Sequence, residues 1–159
     1  MIGTRVTSSQ NSKNGLYPVY SANVFTPAWH INELNPKIAN FNRPSIIWSI
    51  DSDWQVNYIA SNIPFYPTDH CGVLRIKSNQ IIPRIIVEQI YKLGKEKQFS
   101  RSYRASIEKI SSLVVKVPNV ATQKHTVKII EEIDKQIYKL KNKLVKIKQE
   151  QSTIIEKYL

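Results

Sequence analysis

The chain has 159 residues, 42% of them hydrophobic, and a single cysteine, Cys71. That length suits one globular domain plus an extension, and a lone thiol excludes an internal disulfide and a cysteine-based zinc site. The net charge is +11: residues 1–123 hold 14 basic and 7 acidic groups and residues 124–159 hold 9 and 5, so the excess runs through the whole chain and points first to a polyanion such as nucleic acid.

Residues 1–14 are rich in Ser, Thr, Asn, Gln and Lys without a period and read as a loose lead-in. They contain no apolar run that would serve as a signal peptide, and no segment approaches 18 apolar residues. A cytoplasmic protein that crosses no membrane is the simplest expectation. Gly15 to Asn23 resembles a short strand entering a loop, and residues 26–44, with Pro27, Pro36 and Pro44, should be loop-rich. Ser45–Ile50 and Trp54–Ile59 are β-rich runs around the polar turn Asp51-Ser52-Asp53, which predicts a hairpin. Val73–Lys77 alternates as a further strand. Pro83 to Leu93 reads as a helix with Pro83 in its first turn and Gly94 as its stop. Residues 95–106 form a basic polar loop, and Leu113–Val117 reads as a strand ended by Pro118.

The last segment carries the clearest periodicity. Ile130, Ile133, Ile137, Leu140, Leu144, Ile147, Gln151, Ile154 and Tyr158 follow one another by alternating threes and fours, and eight of these nine positions are apolar. That spacing places them on one seam of a helix, and a sustained seam asks for a partner helix. A helix from about Thr122 to the end would be roughly 57 Å long at 1.5 Å per residue. It reads as a spacer or an assembly arm. The fold class is therefore α+β, with a globular domain over residues 1–118 and a long coiled-coil-forming helix over 119–159.

Catalytic chemistry finds little support. Asp51 and Asp53 sit where a hairpin turn favours aspartate for its bonds to the backbone. Asp69, His70 and Cys71 are adjacent and poorly disposed to share one metal ion, and neither His30 nor His125 has ligand spacing. His70 and Asp69 remain candidates for polar contacts near a site. Asn62-Ile63-Pro64-Phe65-Tyr66 is close to the Asn-Pro-Pro-Tyr box of adenine methyltransferases, but Ile63 replaces a proline and no glycine-rich cofactor turn exists. No P-loop or nucleophile elbow appears. The expectation is a chain with no catalytic residues and no metal site. The basic stretch Lys92, Lys95, Lys97, Arg101, Arg104 and Lys109 is interleaved with Phe99, Ser100, Ser102, Tyr103 and Ser106. Such side chains suit phosphates and guanine edges.

Several segments, in order, resemble the specificity subunits of type I restriction-modification systems. Tyr17-Pro18-Val19-Tyr20-Ser21-Ala22 resembles the opening of their target-recognition domains. Asn57-Tyr58-Ile59 and Pro64 to Arg75 resemble the central block. Phe99 to Ser106 resembles the segment before the final strand. Val117-Pro118, Gln123 and the long helix with Ile133-Asp134 resemble the spacer region. Such a subunit usually carries two recognition domains held apart by two antiparallel spacer helices, and each domain reads half of a split site. The resemblance implies as partners double-stranded DNA, DNA adenine methyltransferase subunits that carry S-adenosylmethionine, and a motor-nuclease subunit. No cofactor is expected in this chain itself.

Two departures stand out. There is one recognition domain and one spacer helix, and the strand that usually precedes Tyr17 is missing or truncated. The first implies a homodimer of half-subunits, paired through Ile130, Ile133, Ile137, Leu140, Leu144, Ile147 and Ile154, reading an interrupted palindrome. The second suits a remnant or a processed fragment. The DNA-binding candidates are Tyr20, Ser21, Asn23, Lys97, Ser100, Arg101, Ser102 and Arg104. The rival readings are a structural coiled-coil protein whose basic domain is incidental, the recognition-domain remnant of a fused methyltransferase-nuclease, and a small nuclease, which would need clustered carboxylates and a lysine that the sequence does not offer.

Overall fold

The computed structural model describes residues 1–38 and 40–158, and the chain divides into two compact units, Met1–Pro118 and Asn119–Leu159. Residue 159, where the sequence places the end of the long helix, lies outside the described residues.

The first unit holds two three-stranded sheets. One has the order β2-β1-β5, with β1 (Tyr17–Tyr20) antiparallel to β2 (Trp29–Ile31) and parallel to β5 (Tyr66–Pro67). The other has the order β4-β3-β6, all antiparallel, from β3 (Ser45–Ser49), β4 (Val56–Ile59) and β6 (Cys71–Leu74). The expected hairpin is the β3–β4 pair, with Ile46 opposite Tyr58 and Trp48 opposite Val56. All five residues of β3 are buried. Its side chains alternate between two cores, since successive residues of a strand face opposite ways. Ile46 and Trp48, with Ile50 just past the strand, join Val56, Ile86, Ile90, Phe99 and Ile110 in one. Ile47 joins Val24, Ile38, Ile59, Phe65 and Val73 in the other. A strand buried on both faces needs a near-continuous apolar run, which is why Ser45-Ile46-Ile47-Trp48 reads as it does.

Helix α1 (Pro83–Glu96) packs Ile85, Ile86, Val87 and Ile90 inward and contacts β3 and β4. A short helix α2 (Ile107–Ser111) follows, capped by the Ser106 hydroxyl, which accepts from the Lys109 amide. Trp48 ties these parts together: its indole Nε1 donates to the Ala105 carbonyl at 2.9 Å, and its ring packs against Gly72, where a Cβ would come within 2.1 Å of it.

Four expectations need correction. The amino-terminal residues are not loose: Ile2 forms a β-bridge to Gly72, Gly3 donates to the Cys71 carbonyl, Thr4 donates to the Pro67 carbonyl, and Ser8–Gln10 makes a 3-10 turn. The third alternating strand lies earlier than Val73–Lys77, ending at Leu74. Helix α1 runs through Gly94 to Glu96, so that glycine serves close packing and not termination. Leu113–Val117 is not a strand; Lys116 exchanges both backbone bonds with the Gln89 side chain, at 2.7 Å each, which satisfies the chain without a ladder.

The second unit is a single helix, α3 (Val120–Tyr158). The Asn119 carboxamide accepts from the Thr122 amide at 2.9 Å and caps its start. Of the seam, Ile133, Ile137, Leu140, Leu144, Ile147, Ile154 and Tyr158 are exposed, and Ile130 is half-buried. Among the described residues no helix is long and apolar enough to cross a membrane.

Candidate nucleic-acid interface

Four connections of the first unit meet around one open cleft of about 600 Å³. The loop after β1 contributes Ala22, the β3–β4 turn contributes Asp51, Ser52 and Asp53, the turn before β6 contributes His70, and the loop after α1 contributes Arg101 and Arg104. The β3–β4 turn is anchored to the β1 end by Ser52, whose hydroxyl donates to the Ala22 carbonyl at 2.8 Å. At the floor, His70 Nδ1 lies 2.8 Å from both oxygens of the Asp51 carboxylate. Arg104 reaches to 3.9 Å from the same carboxylate. The Arg104 side chain is 69% exposed while Asp51 is only 15% exposed, so the cation is presented outward over a sunken anion.

The loop that carries the arginines is held from beneath. Gln98 adopts a left-handed φ of 59°, which turns the chain sharply out of α1, and Phe99 donates back to the Gly94 carbonyl at 3.0 Å. Ser100 and Tyr103 close the tip: the Ser100 amide donates to the Tyr103 carbonyl, and the Tyr103 amide donates to the Ser100 hydroxyl. Phe99 packs edge-on against Trp54 at 5.1 Å and stacks with Tyr103 at 5.8 Å. The Lys109 ammonium sits 3.3 Å over the Tyr103 ring and also donates to the Arg104 carbonyl. Gly94 is what lets Trp54 approach, because a Cβ there would lie 2.2 Å from the indole. Gly94→Ala should therefore cost about 1–3 kcal/mol by overpacking and loosen the loop. Hydrogen exchange should rise first at the Phe99, Ser100 and Tyr103 amides.

The DNA-binding candidates from the sequence fall into different settings. Arg101 and Arg104 line the cleft. Ser21 adjoins it, with its hydroxyl taking a 2.9 Å bond from Thr68. Tyr20 turns its ring toward Phe65, 6.3 Å away, and burial raises its hydroxyl pKa above the ordinary value. Asn23 uses its carboxamide oxygen on the amides of Phe25 and Thr26. Ser100 and Ser102 place their hydroxyls 3.2 Å apart at the loop tip, and Lys97 is exposed just after α1. Asp51, Ser52 and Asp53 are cleft residues that sequence alone does not bring to the site. The aspartates read as turn residues, and nothing in one dimension joins Asp51 to His70, 19 positions away. Among the described residues no three His, Cys, Asp or Glu side chains are grouped to hold a metal ion.

Comparison with known proteins agrees with this architecture. The fold is similar to that of a solved Type-I restriction-modification system S subunit from M. genitalium, with a TM-score of 0.65 and 19% sequence identity. The match covers 91% of this chain and 38% of that one, so the chain spans well under half the length of that structure. Among curated proteins none matches. Residues 2–149 match the Type I restriction modification DNA specificity domain, and the chain belongs to that family.

Proposed function

We propose that this chain is the sequence-reading subunit of a type I-like restriction-modification system, which as a homodimer directs partner subunits to methylate adenine and to cleave. The observation that carries the proposal is the cleft: in a chain of the specificity-domain family, Arg101 and Arg104 project from a rigidly propped loop among the loop ends of a strongly basic protein. Arginines presented this way suit the phosphates and base edges of a duplex. The chain performs no chemistry of its own here; S-adenosylmethionine belongs to the methyltransferase partner, and the motor-nuclease is a further subunit.

The homodimer rests on α3. Ile137, Leu140 and Leu144 are 44%, 65% and 52% exposed on one seam, and pairing two such helices would remove them from water. Charge favours the antiparallel sense. Setting Ile137 opposite Leu140 and Ile133 opposite Leu144 of a second copy brings Asp134 against Lys141 on both sides. A parallel pair instead sets Lys143 against Lys148, which repel. Two copies would supply two globular units on a two-fold axis, and a two-fold protein reads a two-fold site.

The test is selection of random duplexes by the purified full chain, followed by a salt titration. The expected outcome is one interrupted inverted repeat. Affinity should fall about 10³-fold or more between roughly 50 and 200 mM salt if about six phosphates are neutralised. Enrichment of no sequence would overturn the proposal in favour of a structural coiled-coil role.

A further inference from the structure

The cleft contains more than a phosphate site would tolerate. Phosphate oxygens and carboxylates repel, yet Asp51 and Asp53 both line the surface that Arg101 and Arg104 overhang. A carboxylate in a DNA-facing cleft is useful where a base offers an amino group. In the major groove cytosine presents its N4 amino donor, and guanine presents the acceptors O6 and N7. In a C·G pair that donor and those acceptors lie side by side on one edge. Matching them requires an acceptor and a forked donor that also lie side by side.

Asp51 and Arg104 have that arrangement. Their nearest atoms, Asp51 Oδ2 and Arg104 Nη2, are 3.9 Å apart, too far for a hydrogen bond between them and close enough for neighbouring contacts to one base pair. Arg104 is largely exposed, so the donors of its guanidinium are available to a ligand. Asp51 is fixed by His70 Nδ1 and stands in the anchored β3–β4 turn. Each of its oxygens retains capacity to accept a second bond. The backbone under Arg104 is fixed as well, by the Lys109 ammonium on the Arg104 carbonyl and by the Ala105 amide, which donates to the Ile50 carbonyl at 2.9 Å.

We infer that the cleft reads one C·G base pair through its major-groove edge, with Arg104 donating to guanine O6 and N7 and Asp51 accepting from the cytosine N4 amino group. The inference rests on the DNA-recognition reading and adds to it the chemical class of the target.

The experiment selects random duplexes with the full chain and with Arg104→Ala, Arg104→Lys and Asp51→Asn. Arg104→Lys keeps the charge and loses the planar fork, so it separates base reading from phosphate contact. Circular dichroism establishes that each variant is folded, and Arg104, being exposed, carries the test alone should Asp51→Asn disturb the turn. The expected result is that wild type selects a motif containing a G·C position. Both Arg104 variants should lose preference there by about 10- to 100-fold, the scale of one bidentate base contact, and Asp51→Asn should relax the same position. Three results would overturn the inference while leaving the DNA-recognition reading intact. One is an equal affinity loss on all sequences with the motif unchanged. Another is a lysine variant that selects as wild type does. The third is relaxation at an A·T position. Failure of wild type to select any motif would instead sink the underlying reading.

Discussion

Ile137→Asp combined with Leu144→Asp is expected to leave a monomer that no longer selects a two-part DNA site. Both positions lie mid-seam on α3, and in a symmetric pair each substitution strikes twice, so four apolar side chains leave the interface. At about 1.5–3 kcal/mol for each buried Leu or Ile side chain, the loss exceeds roughly 6 kcal/mol before any cost of burying carboxylates. That corresponds to at least about a 10⁴-fold weaker association. The seam side chains face water in the single chain, so the exchange leaves the globular core untouched. Light scattering should give the mass of one chain at concentrations where the parent is a dimer, with an unchanged melting transition for the residues of the first unit. A variant that remains dimeric would remove the seam from the assembly, and with it the argument for a palindromic target.

Trp48→Ala is expected to have the largest effect on stability. The ring is 2% exposed, fills the space above Gly72, and lies in the core cluster with Ile86, Ile90 and Phe99. Truncating a buried tryptophan costs about 3–5 kcal/mol through lost burial and the cavity left behind. The Ala105 carbonyl, which accepts from the indole, would also lose its donor. Domains of this size are stable by about 5–15 kcal/mol in all, so a large part of the folded state would be forfeited. Urea unfolding followed by fluorescence should show the midpoint fall with little change in slope. Trp48→Phe, which keeps most of the volume and loses the donor, should recover much of the loss. A variant as stable as the parent would mean that β3 is held by something other than this ring.

The strand pair around Asp51-Ser52-Asp53 was legible because β3 must be apolar on both faces and its turn must be polar. The α3 seam was legible because nothing interrupts its period. Other elements left no such trace. β5 spans only Tyr66–Pro67 and owes its existence to a partner, β1, far away in sequence. β2 sits among prolines and asparagines, where composition argues for loop. Leu113–Val117 has the composition of a strand, but the side chain of Gln89 claims its backbone bonds. Gly94 reads as a helix stop, yet its missing Cβ serves Trp54. For the site, Arg101 and Arg104 were visible as charge within a polar loop. The Asp51–His70 contact was not, since it exists only once two separate turns have been folded to the same end of the domain.

The prop beneath the arginine loop has a further consequence. The parts that set the shape of that loop, Gly94, Phe99, Tyr103 and Lys109, are distinct from the side chains that stand in the cleft. Exchanging an exposed cleft side chain such as Arg104 therefore leaves the scaffold nearly indifferent, within about 0.5 kcal/mol for an ordinary surface change. Shape and message are stored in separate residues, so the lettering could be rewritten a side chain at a time while the page stays flat.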